Sequence, residues 1–377
     1  MPYIPNVVGN TALSAETLNA IGEDIGVGVI VAENNIQTLY EYGNVILANT
    51  SLMNKWYDGL VNKILRSRLI DTMYKNRLAP TFKGVLDIGE GIEEILVPPA
   101  AVQQQNQDKT TPRNPYAANL PEIYTKWHVI NAEMQYGTRV SKKRLRRAFV
   151  SFDAMNNFVQ YVIDSLYNGY EWDSQILTKF KAAQAALIRI EADKAIAVAS
   201  PVTSDGTAFL AAARADAELF RWMSDQYNDA GVPVATDNSD LYIIMPARVE
   251  SHVDVKDLAA AFNLEYAQFL GRRMPIDSFT FSDTEKARLM EIAGVDSWFF
   301  TEEQEAQLET VLGIVADIDL FQIYDAYEPD LWENPNGADA ETNFWLHADK
   351  IVGLSPFANY QVYIAGEDED AVATVTP

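Results

Sequence analysis

Cysteine is absent from all 377 residues, which excludes a disulfide framework, a thiolate nucleophile and any zinc site built on sulfur. Histidine is nearly absent. The three present, His128, His252 and His347, are too far apart in sequence to share a helix face, so no HExxH-type metal helix exists and each reads as a structural or surface residue. No G-x-S-x-G elbow or phosphate-binding G-x-x-x-x-G-K-[ST] loop occurs, and Gly26-Val27-Gly28 and Gly89-Glu90-Gly91 both lack the third glycine of a dinucleotide fingerprint. Long apolar runs are missing too. The longest, such as Ile25–Ala32 and Leu241–Pro246, are strand-sized and far short of the roughly 18 residues of a membrane span. The N-terminus lacks the basic region of a signal peptide, so the expected product is soluble and carries no address tag. Basic residues are in deficit, 29 against 53 acidic for a net charge of −24, which argues against a general nucleic-acid binder.

What is present suffices for a folded body. Hydrophobic residues make up 48% of the chain, ample for a buried core, and the length suggests two lobes. The few basic residues are segregated. Residues 1–50 contain none, residues 51–150 hold 16 against 9 acidic, and residues 281–377 hold 3 against 21. This is either a solvated acidic surface or electrostatic complementarity between copies, which would make self-association ordered and salt-dependent.

Residues 1–50 read as an extended, partly helical arm, with a short helix starting at Ser14 as N-cap. A helix over about 50–77 follows from Leu52, Trp56, Leu60, Ile64 and Leu65. Ile92 to Val97 has strand character and ends at Pro98-Pro99; residues 98–121 are polar and proline-bearing; Tyr124 to Ile130 resumes a strand that continues through Tyr136 to Val140. The two strands make a long hairpin, which alone is marginal in water and calls for support from another chain. Met155, Phe158, Val159, Val162, Ile163, Leu166 and Tyr167 form one stripe that Trp172, Ile176, Leu177 and Phe180 extend, predicting a helix of more than 30 residues with a break near Gly169. Residues 200–280 pattern as an α/β lobe, with helices over 208–227 and 249–262 and a buried strand at Leu241–Pro246. Helical patterns over 283–293 and 302–315 flank a strand-like Trp298-Phe299-Phe300. Residues 320–364 alternate short apolar runs with turns, before an acidic tail.

Chemistry is thinly represented. Placing Gly337 at the sixth position of a calcium loop puts Trp332 first and Asn343 twelfth, neither of them a carboxylate. Asp317 with Asp319, or Glu302 with Glu303, offers an acid/base pair for an acidic carbohydrate-active enzyme, though nothing in the pattern sets them on facing strand ends. The sequon Asn49-Thr50-Ser51 reads as accidental. The one dense positive patch is Lys142, Lys143, Arg144, Arg146 and Arg147, just before the long helix. It lacks the interleaved aromatics of a nucleic-acid platform and reads as a salt-bridge donor to an acidic neighbour.

Taken in order, these pieces resemble the Hong Kong 97 (Johnson) fold of tailed-phage major capsid proteins, and the local sequence resembles the phi-29-like short-tailed phages. The resemblance rests on Ile92-Glu93-Glu94-Ile95; on Thr138-Arg139, Ala148 to Ser151, Phe158-Val159 and Leu166-Tyr167-Asn168 to Asp173; on Leu241 to Ile244 followed by Asp254-Val255, Leu258-Ala259, Ala261-Phe262-Asn263 and Phe269-Leu270-Gly271; and on Phe344-Trp345 with Leu354 to Asn359. It implies an α+β fold organised as an N-terminal arm over 1–50, a helical part of the peripheral domain over 51–81 and an E-loop hairpin over 82–140. A spine helix over 141–200, an axial domain over 201–335 with an insertion at 281–318, closing strands over 336–366 and an acidic tail over 367–377 complete it. The immunoglobulin-like domain that some relatives append is not expected.

The resemblance further implies a structural, non-enzymatic protein without cofactor or metal. Copies would form the pentamers and hexamers of an icosahedral or prolate shell in the virion, assembled in the host bacterial cytoplasm with scaffolding and portal proteins and touching packaged dsDNA only weakly. The residues expected at contacts between copies are Glu93, Glu94, Arg113, Trp127, Lys142, Lys143, Arg144, Arg146 and Arg147. Two alternatives stay open at this point: an encapsulin-like nanocompartment shell and the carbohydrate-active enzyme.

Overall fold

The computed structural model describes residues 11–32, 35–49, 51–56, 76–86, 91–100, 122–149, 152–202, 207–257, 272–336 and 341–366. The chain divides into two units. Among the described residues no helix is long and apolar enough to cross a membrane.

The first unit takes residues 1–76, 133–173 and 327–348. Helices α1 (Thr11–Ile25) and α2 (Ile36–Ala48) bury Leu18, Ile21, Leu39, Tyr42 and Ile46. The Tyr42 hydroxyl donates to the carbonyl of Leu18 at 2.7 Å, and burial pushes this phenol well above its ordinary pKa. Asn35 caps α2 by accepting from the Gln37 amide. The arm is therefore mostly helical where it is described. Ser14 lies inside α1, not at its start.

The same unit holds most of strand β4 (Ala132–Ser141), helix α3 (Lys142–Ala148), the N-terminal half of helix α4 (Phe152–Glu191), strand β10 (Asp330–Asn336) and the first part of β11 (Glu341–Leu354). β4 and β10 flank β11, and β10 pairs with it antiparallel from Asp330 opposite His347 to Asn336 opposite Glu341. Alternation buries Met134, Val140, Phe344 and Leu346 on one face. The Tyr136 hydroxyl donates to Asp173 of α4 at 2.8 Å.

The second unit takes residues 77–132, 174–326 and 349–377. Its main sheet has the order β5 (Ile196–Val198), β12 (Tyr360–Ala365), β8 (Val311–Asp317), β6 (Leu241–Pro246), β7 (Arg273–Ile276). Helix α5 (Thr207–Leu219) packs Phe209, Leu210, Ala213 and Ala217 against Ile243, Val315 and Tyr363 of the sheet. A smaller set places β9 (Phe321–Asp325) between β1 (Phe82–Val85), parallel, and the end of β11, antiparallel. Helix α6 (Ala247–Asp257) follows β6.

Several expectations need correction. α4 runs 40 residues without a break at Gly169. The Ala-rich helix stops at Leu219, short of Tyr227. Residues 311–315 are not helical: helix α8 (Glu302–Glu309) ends first, and the apolar run from Val311 forms β8 in the middle of the sheet, so the end of the 281–318 segment belongs to the core. Continuous burial on both faces of β8 erases the period-2 signal that would have identified it. Trp298, Phe299 and Phe300 are not a strand; they form an aromatic cluster with Phe180 of α4 and Phe281. Residues 57–75, 101–121, 258–271 and 367–377, on which parts of the reading fell, lie outside the described residues.

Candidate assembly surface

The hairpin is present, made of β2 (Gly91–Leu96) and β3 (Tyr124–Val129), paired antiparallel from Gly91 opposite Val129 to Leu96 opposite Tyr124. This register puts Glu93, Ile95, Thr125, Trp127 and Val129 on one face and Ile92, Glu94, Leu96, Lys126 and His128 on the other. The two faces differ sharply. Ile95, Trp127 and Val129 are exposed, Trp127 at 61%, and Val97 and Ile123 extend the apolar exposure past the strand ends. His128 is buried, its Nε2 2.9 Å from Glu94, with its ring against Gly353 of β11.

The hairpin root is fixed by Asn131, in the short break between β3 and β4. The sequence expectation of one strand through to Val140 fails here. The Asn131 side chain donates to the Val352 carbonyl and accepts from the Val352 amide, both at 2.9 Å, and its backbone amide donates to Lys350. An anchored root and an underside held at the buried His128 thus leave an apolar upper face to solvent. Exposed contiguous apolar surface of this kind marks an interaction site.

A second surface belongs to the first unit. Helix α3 carries Lys143, Arg146 and Arg147 exposed and Lys142 half-buried, while Leu145 and the following Phe149 are buried. None of these four cations makes an ion pair or side-chain hydrogen bond among the described residues. Cations in the last turn suit the helix dipole. Tyr40, Asn44, Leu47 and Ala48 of α2, with Arg146 and Phe149, line a cavity of about 260 Å³.

The expected contact residues are thus distributed over two surfaces. Glu93 and Trp127 share the exposed hairpin face; Glu94 lies on the opposite face, engaged with His128 of its own chain. Lys142, Lys143, Arg146 and Arg147 lie on α3, as does the backbone of Arg144, whose side chain is outside the described residues together with all of Arg113. Sequence reasoning missed Ile95, Val97, Ile123 and Val129. Their alternation with polar residues was visible, but which face the body would cover was not.

The carboxylates weighed for hydrolysis have structural work instead. Asp317 accepts from the Thr236 hydroxyl at 2.8 Å and from the Asp319 amide at 2.9 Å, and burial raises its pKa. Asp319 pairs with Lys83. Glu302 and Glu303 sit exposed in the first turn of α8, where they complement the helix dipole. Among the described residues no cluster of His, Cys, Asp or Glu could hold a metal ion.

Residues 18–364 match the family described as Phi29-like phage major capsid protein. The chain belongs to this family. Among curated relatives of this phi29-like member, the major capsid protein of Bacillus phage GA-1 is 26% identical over 339 residues, covering 88% of this chain and 64% of the relative. That of Bacillus phage B103 is 26% identical, covering 90% and 70%. The chain therefore spans about two thirds of the length of these capsid proteins. A chain in the capsid structure of Staphylococcus phage Andhra superposes with a TM-score of 0.60 at 14% identity, covering 79% of this chain and 86% of that one. The fold is thus that of the phage capsids, the Hong Kong 97 type, in an α+β chain.

Proposed function

We propose that this chain is a non-enzymatic shell subunit whose copies form pentamers and hexamers, closing an icosahedral or prolate capsid around a phage dsDNA genome. The observation that carries this reading, given the family, is the anchored hairpin with its solvent-facing Ile95, Trp127 and Val129. A stable monomer gains nothing from holding such a surface open, whereas covering it on a neighbour gains about 25 cal/mol per Å² at every contact. Head-to-tail contacts of this kind close by rotation into rings.

Glu93 and Trp127 of the hairpin, and the cations Lys142, Lys143, Arg144, Arg146 and Arg147, are the proposed contacts between copies; Arg113 and Glu94 complete the set. The basic residues set register and encounter rate more than affinity. The net charge of −24 keeps contact with packaged DNA weak and nonspecific. Scaffolding and portal proteins are the proposed assembly partners in the host bacterial cytoplasm, and the virion capsid is the destination.

Negative-stain electron microscopy with sedimentation at low and high salt tests the reading. Rings or closed shells that respond to salt are expected. A monomer at every concentration, persisting after addition of a phage lysate, refutes it.

A further inference from the structure

The segment Asp283–Glu309 builds a rigid ridge on the second unit. Helix α7 (Asp283–Ala293) starts with a capping box between Ser282 and Glu285 and ends at Gly294, whose φ of 63° and the Val295 amide bond to Met290 stop it sharply. Thr301 and Gln304 form a second capping box for α8, and the Trp298 indole donates to Glu305 at 2.8 Å. The connection between the helices is thereby fixed at both ends, yet it leaves Val295 and Phe299 exposed, Phe299 at 40% although its ring lies 5.1 Å from that of Phe180. Close to these apolar groups in sequence are Asp296, Glu302 and Glu303, all exposed and without ion pairs or side-chain hydrogen bonds among the described residues.

This ridge complements the α2–α3 surface of the first unit in two independent respects. The cavity there is lined by Leu47 and Phe149 together with the polar Tyr40, Asn44 and Arg146 and, at about 260 Å³, falls below the roughly 300–1,000 Å³ of a small-molecule site. Its size suits a side chain. Its rim carries Arg146, with Lys143 and Arg147 exposed on the same short helix, all three free of acidic partners among the described residues. A half-covered apolar spot beside carboxylates unpaired among the described residues therefore has a counterpart in a mixed polar and apolar socket that includes Arg146, with Lys143 and Arg147 on the same helix. Aromatic anchors in such sockets dominate interface energies, while surrounding charges select the partner.

We infer that the α7–α8 ridge of one copy docks into the α2–α3 socket of a second copy, with Phe299 and Val295 entering the cavity and Asp296, Glu302 and Glu303 meeting Lys143, Arg146 and Arg147. This rests on the shell-subunit reading and gives the 281–318 segment a role in joining subunits. Preorganisation of the ridge lowers the ordering cost of the contact.

The absence of cysteine permits a direct test on the full-length chain. Asn44→Cys at the socket rim and Phe299→Cys on the ridge are made as separate proteins, with Asp296→Cys as a second ridge variant that leaves the aromatic cluster intact. Oxidation of mixed socket and ridge variants under assembly conditions is expected to give a dimer-mass band at least tenfold above either variant alone. In parallel, Arg146→Glu/Arg147→Glu and Glu302→Lys/Glu303→Lys are each expected to raise the concentration needed for assembly about tenfold or more, and mixing the two reversed proteins to restore co-assembly. Wild-type protein that assembles while neither mixture crosslinks overturns the inference but leaves the shell reading standing. So does crosslinking of Asn44→Cys to Ile95→Cys on the hairpin, or loss of assembly on reversing Glu367, Asp368, Glu369 and Asp370 with the ridge reversal silent. Wild-type protein that never assembles instead refutes the shell reading itself.

Discussion

Replacing Trp127 by alanine isolates the contribution of the hairpin face. Trp127 is 61% exposed and stands opposite Glu93, with no side-chain hydrogen bond or ring contact among the described residues. Of the roughly 250 Å² that a tryptophan side chain can bury, some 150 Å² is thus still open to water. Covering it at about 25 cal/mol per Å² is worth at most about 4 kcal/mol per contact, of which alanine retains a small part. A loss of about 3 kcal/mol corresponds to roughly 100-fold in the association constant of each contact. The folded monomer should hardly notice, because among the described residues no hydrogen bond or ring contact is made to the indole. The expected result is an assembly threshold, measured by sedimentation and light scattering across a concentration series, raised by two orders of magnitude. The thermal midpoint by circular dichroism should match wild type under conditions where both are monomeric. Assembly of Trp127→Ala at the wild-type threshold refutes the reasoning; a matching fall in monomer stability shows that the face is instead covered within the chain.

Three further perturbations probe the stability of the folded monomer, the first of them at the hairpin root. Gly353→Ala drives a methyl group into the His128 imidazole, so a destabilisation of about 1–3 kcal/mol is expected, with faster amide exchange in β3 than in β8. Lys179 is buried and bonds Asp277 at 2.7 Å and the mostly buried Glu285 at 3.0 Å; Lys179→Met should cost about 3 kcal/mol in urea unfolding, and Lys179→Met/Glu285→Gln should recover most of it. Burial raises the pKa of Asp317, so the native state binds more protons than the unfolded state between the ordinary carboxylate range and the raised value. Stability should therefore fall as pH rises through that window, and urea melts of Asp317→Asn should show a shallower fall.

How much of this was legible in the sequence differs from element to element. Strand β6 was read to the residue, because Leu241–Pro246 is a short apolar run bounded by turn residues. The long helix was legible from its stripe, while its predicted break at Gly169 failed: a glycine costs about 1 kcal/mol in a helix interior, and the burial of Leu166, Tyr167, Tyr170, Ile176 and Leu177 on either side overrides that. Strand β8 was misread as helix because its run from Val311 to Ala316 is buried on both faces and follows a genuine helix without a turn signal. The break between β3 and β4 is held at Asn131 by a bond to Val352, more than two hundred residues away, and no local pattern encodes it. The proposed contact residues divide in the same way. Trp127 and the α3 cations stand out by type, whereas the outward direction of Ile95 and Val129 follows only from the register of the hairpin and the burial of His128.

That burial explains why the hairpin can serve as a preformed tool. A two-stranded hairpin alone is marginal in water. Here one face is secured by three kinds of contact at once: His128 against Gly353, the Glu94–His128 pair, and the double hydrogen bond of Asn131 to Val352. Each involves a residue whose substitution would release the strands without touching the exposed apolar side. Order in the hairpin is therefore supplied by its own chain, and the free energy of covering Ile95, Trp127 and Val129 remains available to association. The same division recurs on the ridge, where two capping boxes and an aromatic cluster hold Phe299 while leaving part of it uncovered. Surfaces rigid in the monomer and apolar toward solvent lose little entropy when copies meet, so many weak contacts of this kind suffice to close a shell.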